Sequence, residues 1–126
     1  MGIYLSVADR SNLSLIKSLK SLLGDDVPIW DVNQVPEHNK VTMVVAWKHP
    51  FGSISKSQFP NLKIISSLGA GVEHLLEDKT IEKDIFLSRI VEPSLQTGMR
   101  QYAAWACFHI LKKIPQYHSQ QSQQKW

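Results

Sequence analysis

The residues best suited to chemistry lie in one stretch, Leu62-Lys63-Ile64-Ile65-Ser66-Ser67-Leu68-Gly69-Ala70-Gly71-Val72-Glu73-His74-Leu75. An apolar run ends in small residues, and a helical pattern starts at once. In an open parallel sheet, ligands bind in the crevice beyond the strand C-termini. Glycines let the backbone come close to a ligand. Unpaired N–H groups at a helix start favour an anion. Two readings of Gly69–Val72 stay open from the residues alone: an anion cradle, or a tight strand–helix turn. Trp47, at the end of the apolar run Val41–Trp47, is either a pocket wall or an edge aromatic.

The other reactive side chains offer less. His38, His49, His74, His109 and His118 show no paired ligand spacing, so no metal site is expected. His74, one turn past the glycines, is expected to make a structural hydrogen bond more readily than to face a ligand. Cys107 is the only cysteine. It forms no internal disulfide, which suits a reducing cytoplasm. Its place in an apolar helical pattern suggests a small core residue. No catalytic residue can be assigned.

The elements that must position these residues alternate. Strands are expected at Ile3–Ala8, Val27–Val32, Val41–Trp47, Leu62–Leu68 and Phe86–Val91. Leu13, Ile16, Leu19, Leu22 and Leu23 recur at helical spacing, with Ser11 as N-cap and Gly24 as C-cap. Ser53–Phe59 is a short helix or turn, and a short helix begins at Val72. Strand–helix alternation at these lengths predicts an α/β domain of three layers, with helices on both faces of a parallel sheet. The order expected is 2-1-3-4-5, the flavodoxin-like arrangement. After Pro93, apolar residues from Leu95 to Ile114 recur at three- and four-residue steps, predicting a long helix over 94–114. Pro115 stops or kinks it. Residues 115–126, rich in Gln and Ser, read as a linker.

Other uses of such a fold fit poorly. A receiver domain needs an aspartate where Ala46-Trp47 stands, and Ala8-Asp9-Arg10-Ser11-Asn12 is a poor flavin phosphate loop. The net charge of +3 is concentrated at the end: residues 99–126 carry Arg100, Lys112, Lys113 and Lys125 and no acid. That is a weak nucleic-acid signal. Hydrophobic residues at 43% and charged residues at 20% are ordinary for a globular chain. No signal peptide or membrane partner is expected. Gly2 and Ser6 loosely match a myristoylation pattern, but the alternation through Val7 suits a buried strand better.

The segment Asn61–Leu75 strongly resembles the substrate loop of the D-2-hydroxyacid dehydrogenases, most of all their glyoxylate/hydroxypyruvate reductase A branch. Two further segments match in order and spacing: Val44-Val45-Ala46-Trp47-Lys48-His49-Pro50, and Val91-Glu92-Pro93-Ser94-Leu95 running into Met99-Arg100-Gln101-Tyr102. The likeness covers most of the chain from about Val41 on. It implies that backbone N–H groups at Gly69, Ala70, Gly71 and Val72 hold a substrate carboxylate, and that Trp47 lines the pocket. Glu73 departs from the family's usual aspartate.

The resemblance also implies an NAD(P)H-dependent reduction of a 2-keto acid, with 1–93 as substrate-binding domain. Helix 94–114 would join the domains and form a homodimer, and 115–126 would lead toward a dinucleotide-binding domain. The family's catalytic arginine, glutamate and histidine have no counterparts here. No Gly-x-Gly-x-x-Gly fingerprint occurs in the 126 residues. This chain alone is therefore expected to be inactive and to bind neither NADPH nor NADH. A stand-alone binding or assembly module is the alternative.

Overall fold

The computed structural model describes residues 1–125. Two compact units are present, one spanning Met1–Ile90 and the other running from Val91 on.

The first unit carries five strands: β1 (Gly2–Val7), β2 (Ile29–Asp31), β3 (Val41–Trp47), β4 (Ile64–Ser67) and β5 (Phe86–Ser88). All four pairings are parallel, in the order β2-β1-β3-β4-β5. This is the expected flavodoxin-like order. Period-two alternation divides the core. Ile3, Leu5, Val7, Ile29 and Val45 face one side, where Leu15, Ile16 and Leu19 of α1 (Leu13–Leu23) pack on them. Val44, Ala46 and Ile65 face the other, with Ile54, Phe59, Leu62, Leu75 and Ile85. β3 lies mid-sheet and supplies both cores.

Local details differ from expectation. β1 lies one residue earlier than its expected run, β2, β4 and β5 are one to three residues shorter at one or both ends, and the bounds of β3 agree. Residues 53–59 are turns, so that face is covered by turns and by α2 (Glu73–Leu76). The N-cap of α1 is Asn12, not Ser11. Its side-chain amide donates to the Val7 carbonyl at 3.3 Å and ties the helix start to the end of β1. Gly24 ends α1 with φ 81°, a conformation that glycine adopts without strain.

The second unit contains α3 (Pro93–Leu111) and α4 (Ile114–Ser122). Pro93 stands in the first turn of α3 and Glu92 is its N-cap. The Ser94 hydroxyl donates to the Glu92 carboxylate. Lys113, with φ 54°, breaks the helix, and α4 begins beside Pro115. The polar stretch read as a linker is thus helical over Ile114–Ser122. Proline suits a first turn, and glutamine is a good helix former. Trp126, the last residue of that expected linker, lies outside the described residues. No residue of α3 is buried, and Cys107 is exposed rather than a core residue. The helical spacing of its apolar neighbours fixed its helix but not a partner for that face. No helix among the described residues is long and apolar enough to cross a membrane.

Candidate functional site

β3 and β4 end side by side, with Ala46 paired to Ser67. Trp47 and the glycine turn therefore leave the sheet at the same edge. The turn is held by its carbonyls. The Gly69 carbonyl accepts from the Ile90 N–H at 3.0 Å, and the Ala70 carbonyl accepts from the Arg89 guanidinium at 3.1 Å. The Gly71 carbonyl accepts from the Ser67 hydroxyl at 2.6 Å, and that hydroxyl takes the Gly69 N–H at 3.2 Å. By contrast, the N–H groups of Ala70, Gly71 and Val72 have no protein acceptor among the described residues. Bonded carbonyls and free amides give the turn a net donor character. α2 is a single turn, so its dipole adds little. The donors are those of the loop itself.

The two glycines do different work. A Cβ at Gly69 would lie 2.5 Å from Cζ3 of Trp47, a rigid ring atom. Gly69 is what lets the indole close over the turn. A Cβ at Gly71 would meet the Glu73 carboxylate, the far end of an exposed, flexible side chain. Glu73 is thus the acidic group beside Gly71, and it can swing away.

Trp47 is 36% exposed. Its indole meets the His74 ring edge-on, with centroids 6.0 Å apart. His74 in turn packs on His49, centroid to centroid 5.6 Å. His49 reaches inward because Lys48, at φ 51°, turns the chain off the end of β3. The His49 Nε2 lies 3.2 Å from the Asp78 carboxylate, and both side chains are buried. Asp78 also accepts from the Gly52 N–H at 3.0 Å, the Thr80 N–H at 3.0 Å and the Thr80 hydroxyl at 2.6 Å. Burial pushes the Asp78 pKa up, but these bonds, those of Thr80 foremost, outweigh it and hold it down to about 2. The carboxylate is ionised at neutral pH.

Of the residues singled out from sequence, Trp47, Gly69, Ala70, Gly71 and Val72 are neighbours at one sheet edge. His74 faces Trp47 and His49 and makes no side-chain hydrogen bond to protein through its buried Nε2. His38, by contrast, sits elsewhere, bonded to the Gln58 carbonyl at 2.9 Å. Ser67, Arg89, His49 and Asp78 were missed. Ser67 and Arg89 act through backbone carbonyls that no motif marks. His49 and Asp78 are far apart in sequence and meet only when the loops close. Among the described residues no cluster could hold a metal ion.

Glyoxylate/hydroxypyruvate reductase A of Photorhabdus laumondii is 28% identical over 95 residues. The chain resembles the D-2-hydroxyacid dehydrogenases. That match covers 71% of this chain and 29% of the relative, so the chain spans under a third of the relative's length. The D-isomer specific 2-hydroxyacid dehydrogenase of Xanthobacter autotrophicus, solved with NADPH and MES, superposes with a TM-score of 0.82 at 20% identity. It is covered to 40% by 99% of this chain. The NADPH-dependent glyoxylate/hydroxypyruvate reductase of Sinorhizobium meliloti, solved with NADP and sulfate, gives 0.73 at 22% identity, with 99% and 39% covered. These structures share the α/β fold. No family model matches the chain.

Proposed function

We propose that this chain is the substrate-binding portion of an NAD(P)H-dependent 2-keto acid reductase of the D-2-hydroxyacid dehydrogenase family. Ala70, Gly71 and Val72 cradle the substrate carboxylate with their backbone N–H groups. Gly69 gives Trp47 room to form a wall of the cleft. One observation carries this: three successive amides without protein acceptors among the described residues, in a turn whose carbonyls at Gly69, Ala70 and Gly71 are all bonded. Such a concavity suits a small anion, and glyoxylate is the simplest 2-keto acid to try.

The nicotinamide cofactor does not fit these residues. No Gly-x-Gly-x-x-Gly turn is present in the sequence. Binding of NADPH or NADH, and the acid–base group that completes reduction, fall to parts of the family's proteins beyond this chain. The chain alone is thus expected to bind substrate and not to turn it over. Residues 94–114, of which α3 forms the helical part up to Leu111, pair with a second copy, and 115–126, which include most of α4, lead toward the cofactor domain. A reducing cytoplasm suits the exposed Cys107.

Gly71→Pro tests the cradle. It deletes the middle N–H. Hydrogen bonds to a charged group contribute about 1.5–3 kcal/mol, so glyoxylate affinity should fall roughly 10- to 100-fold. Gly71→Ala keeps the N–H and displaces only the Glu73 side chain, and it should bind nearly as the parent does. Calorimetric titration with glyoxylate reads both. A folded Gly71→Pro variant with unchanged affinity contradicts the cradle.

A further inference from the structure

The direction of each free amide in the turn is set by a carbonyl. In a trans peptide the C=O of one residue and the N–H of the next share a plane and point in opposite directions. No peptide among the described residues is cis. The Ala70 N–H shares its plane with the Gly69 carbonyl, which the Ile90 N–H holds at 3.0 Å. The Gly71 N–H shares its plane with the Ala70 carbonyl, which the Arg89 guanidinium holds at 3.1 Å. The Val72 N–H shares its plane with the Gly71 carbonyl, which the Ser67 hydroxyl holds at 2.6 Å. Two of these clamps belong to the frame of the fold, one a backbone N–H and the other a fully buried serine. The middle one is an exposed side chain.

That middle plane is the one most able to turn over. Gly71 is not at positive φ, but a glycine enters that region without strain. Its own backbone therefore does not stop the Ala70–Gly71 peptide from rotating. Rotation would bring the Ala70 carbonyl to where the Gly71 N–H now stands, and a carbonyl there repels a carboxylate. We propose that Arg89 is a positioning residue for the cradle: by bonding the Ala70 carbonyl it keeps the Gly71 N–H turned to the side left to a ligand. The guanidinium is available for this, since it has no carboxylate partner among the described residues. Being a cation, it also polarises the peptide that it bonds and strengthens the N–H on the other side. Arg89 stands on the carbonyl side of the peptide and need not touch the anion. The clamp is a property of the turn, but its effect on binding rests on Ala70–Val72 being a carboxylate cradle.

Arg89→Met removes the clamp at an exposed position, where a substitution changes stability little, so the variant should unfold near the parent's urea midpoint. In the full ¹⁵N-labelled chain without ligand, the residual dipolar coupling of the Gly71 N–H reads the direction of that bond. Arg89→Met should shrink this coupling or change its sign, while the couplings of β3 and β4 stay as they are. Glyoxylate affinity should fall about tenfold, the loss of one hydrogen bond to a charged group. Gly71→Ala placed on Arg89→Met should recover affinity to within about threefold of the parent, because alanine resists positive φ and so opposes the rotation. A guanidinium that acted only as a nearby charge would not be replaced in this way. An unchanged Gly71 coupling overturns the proposal, as does an unchanged affinity or a loss that Gly71→Ala leaves in place. An Arg89→Met chain that fails to fold makes Arg89 a structural residue and overturns it too. If the parent ignores glyoxylate, the carboxylate cradle fails, and the Gly71 coupling still decides whether Arg89 holds the peptide.

Discussion

Asp78→Ala should destabilise the chain by about 3–5 kcal/mol, since breaking a buried pair leaves the other member uncompensated. Three losses coincide. His49 keeps a buried N–H with no acceptor, the Gly52 N–H loses its partner, and the Thr80 turn loses both of its bonds. Urea unfolding followed by circular dichroism reads the effect as a lower midpoint. Asp78→Asn keeps an acceptor and should cost less. The parent should also show an acid limb that Asp78→Asn lacks. The Asp78 pKa lies at about 2 in the folded chain against 3.8 for the free group. Its contribution is then fully present above pH 4 and is lost as pH falls through about 2. A midpoint for Asp78→Ala within experimental error of the parent would mean that the buried pair holds nothing together.

The second large effect concerns α3. Tyr102, Trp105 and Phe108 are each more than half exposed, and Ile110 and Leu111 reach 73%. Tyr102, Trp105 and His109 stack along one side of the helix, with centroids 5.9 and 4.7 Å apart. Large apolar side chains exposed together on one helix commonly mark an interaction site. Covering one such side chain contributes about 1.5–3 kcal/mol. A two-fold pairing of α3 with a second copy covers the same residues on both partners. Sedimentation across a concentration series should show a dimer that dissociates on dilution. Trp105→Glu or Phe108→Glu should raise the dissociation constant at least about 10-fold, from the loss of one such contact. A monomer at high micromolar concentration, with Trp105 inaccessible to quenchers, would falsify the pairing.

Much of the sheet was legible because its physics is local. Val41–Trp47 is apolar on nearly every residue, which only a strand covered on both faces requires, and β3 stands mid-sheet. The glycine turn was legible for the same reason: Gly69 and Gly71 directly follow a strand. What could not be read depends on distant pairs. Nothing in the spacing links His49 to Asp78, 29 positions apart, because their meeting depends on how two loops fold over the sheet. Ser67 looks like any strand-end serine, yet its hydroxyl staples the turn. At the other end, composition misled. Gln and Ser between Pro115 and Ser122 suggested a linker, while local propensity builds α4. Cys107 sits in the periodic pattern that suggested burial, but periodicity says which face is apolar, not what covers it.

Titration of the ¹⁵N-labelled chain with glyoxylate, beside glycolaldehyde as the analogue without a carboxylate, probes the cradle most directly. The expected result is a set of saturable amide shifts centred on Ala70, Gly71 and Val72 with glyoxylate and not with glycolaldehyde. Equal responses to the two compounds, shifts confined to other residues, or no saturable response would contradict a carboxylate cradle at this turn.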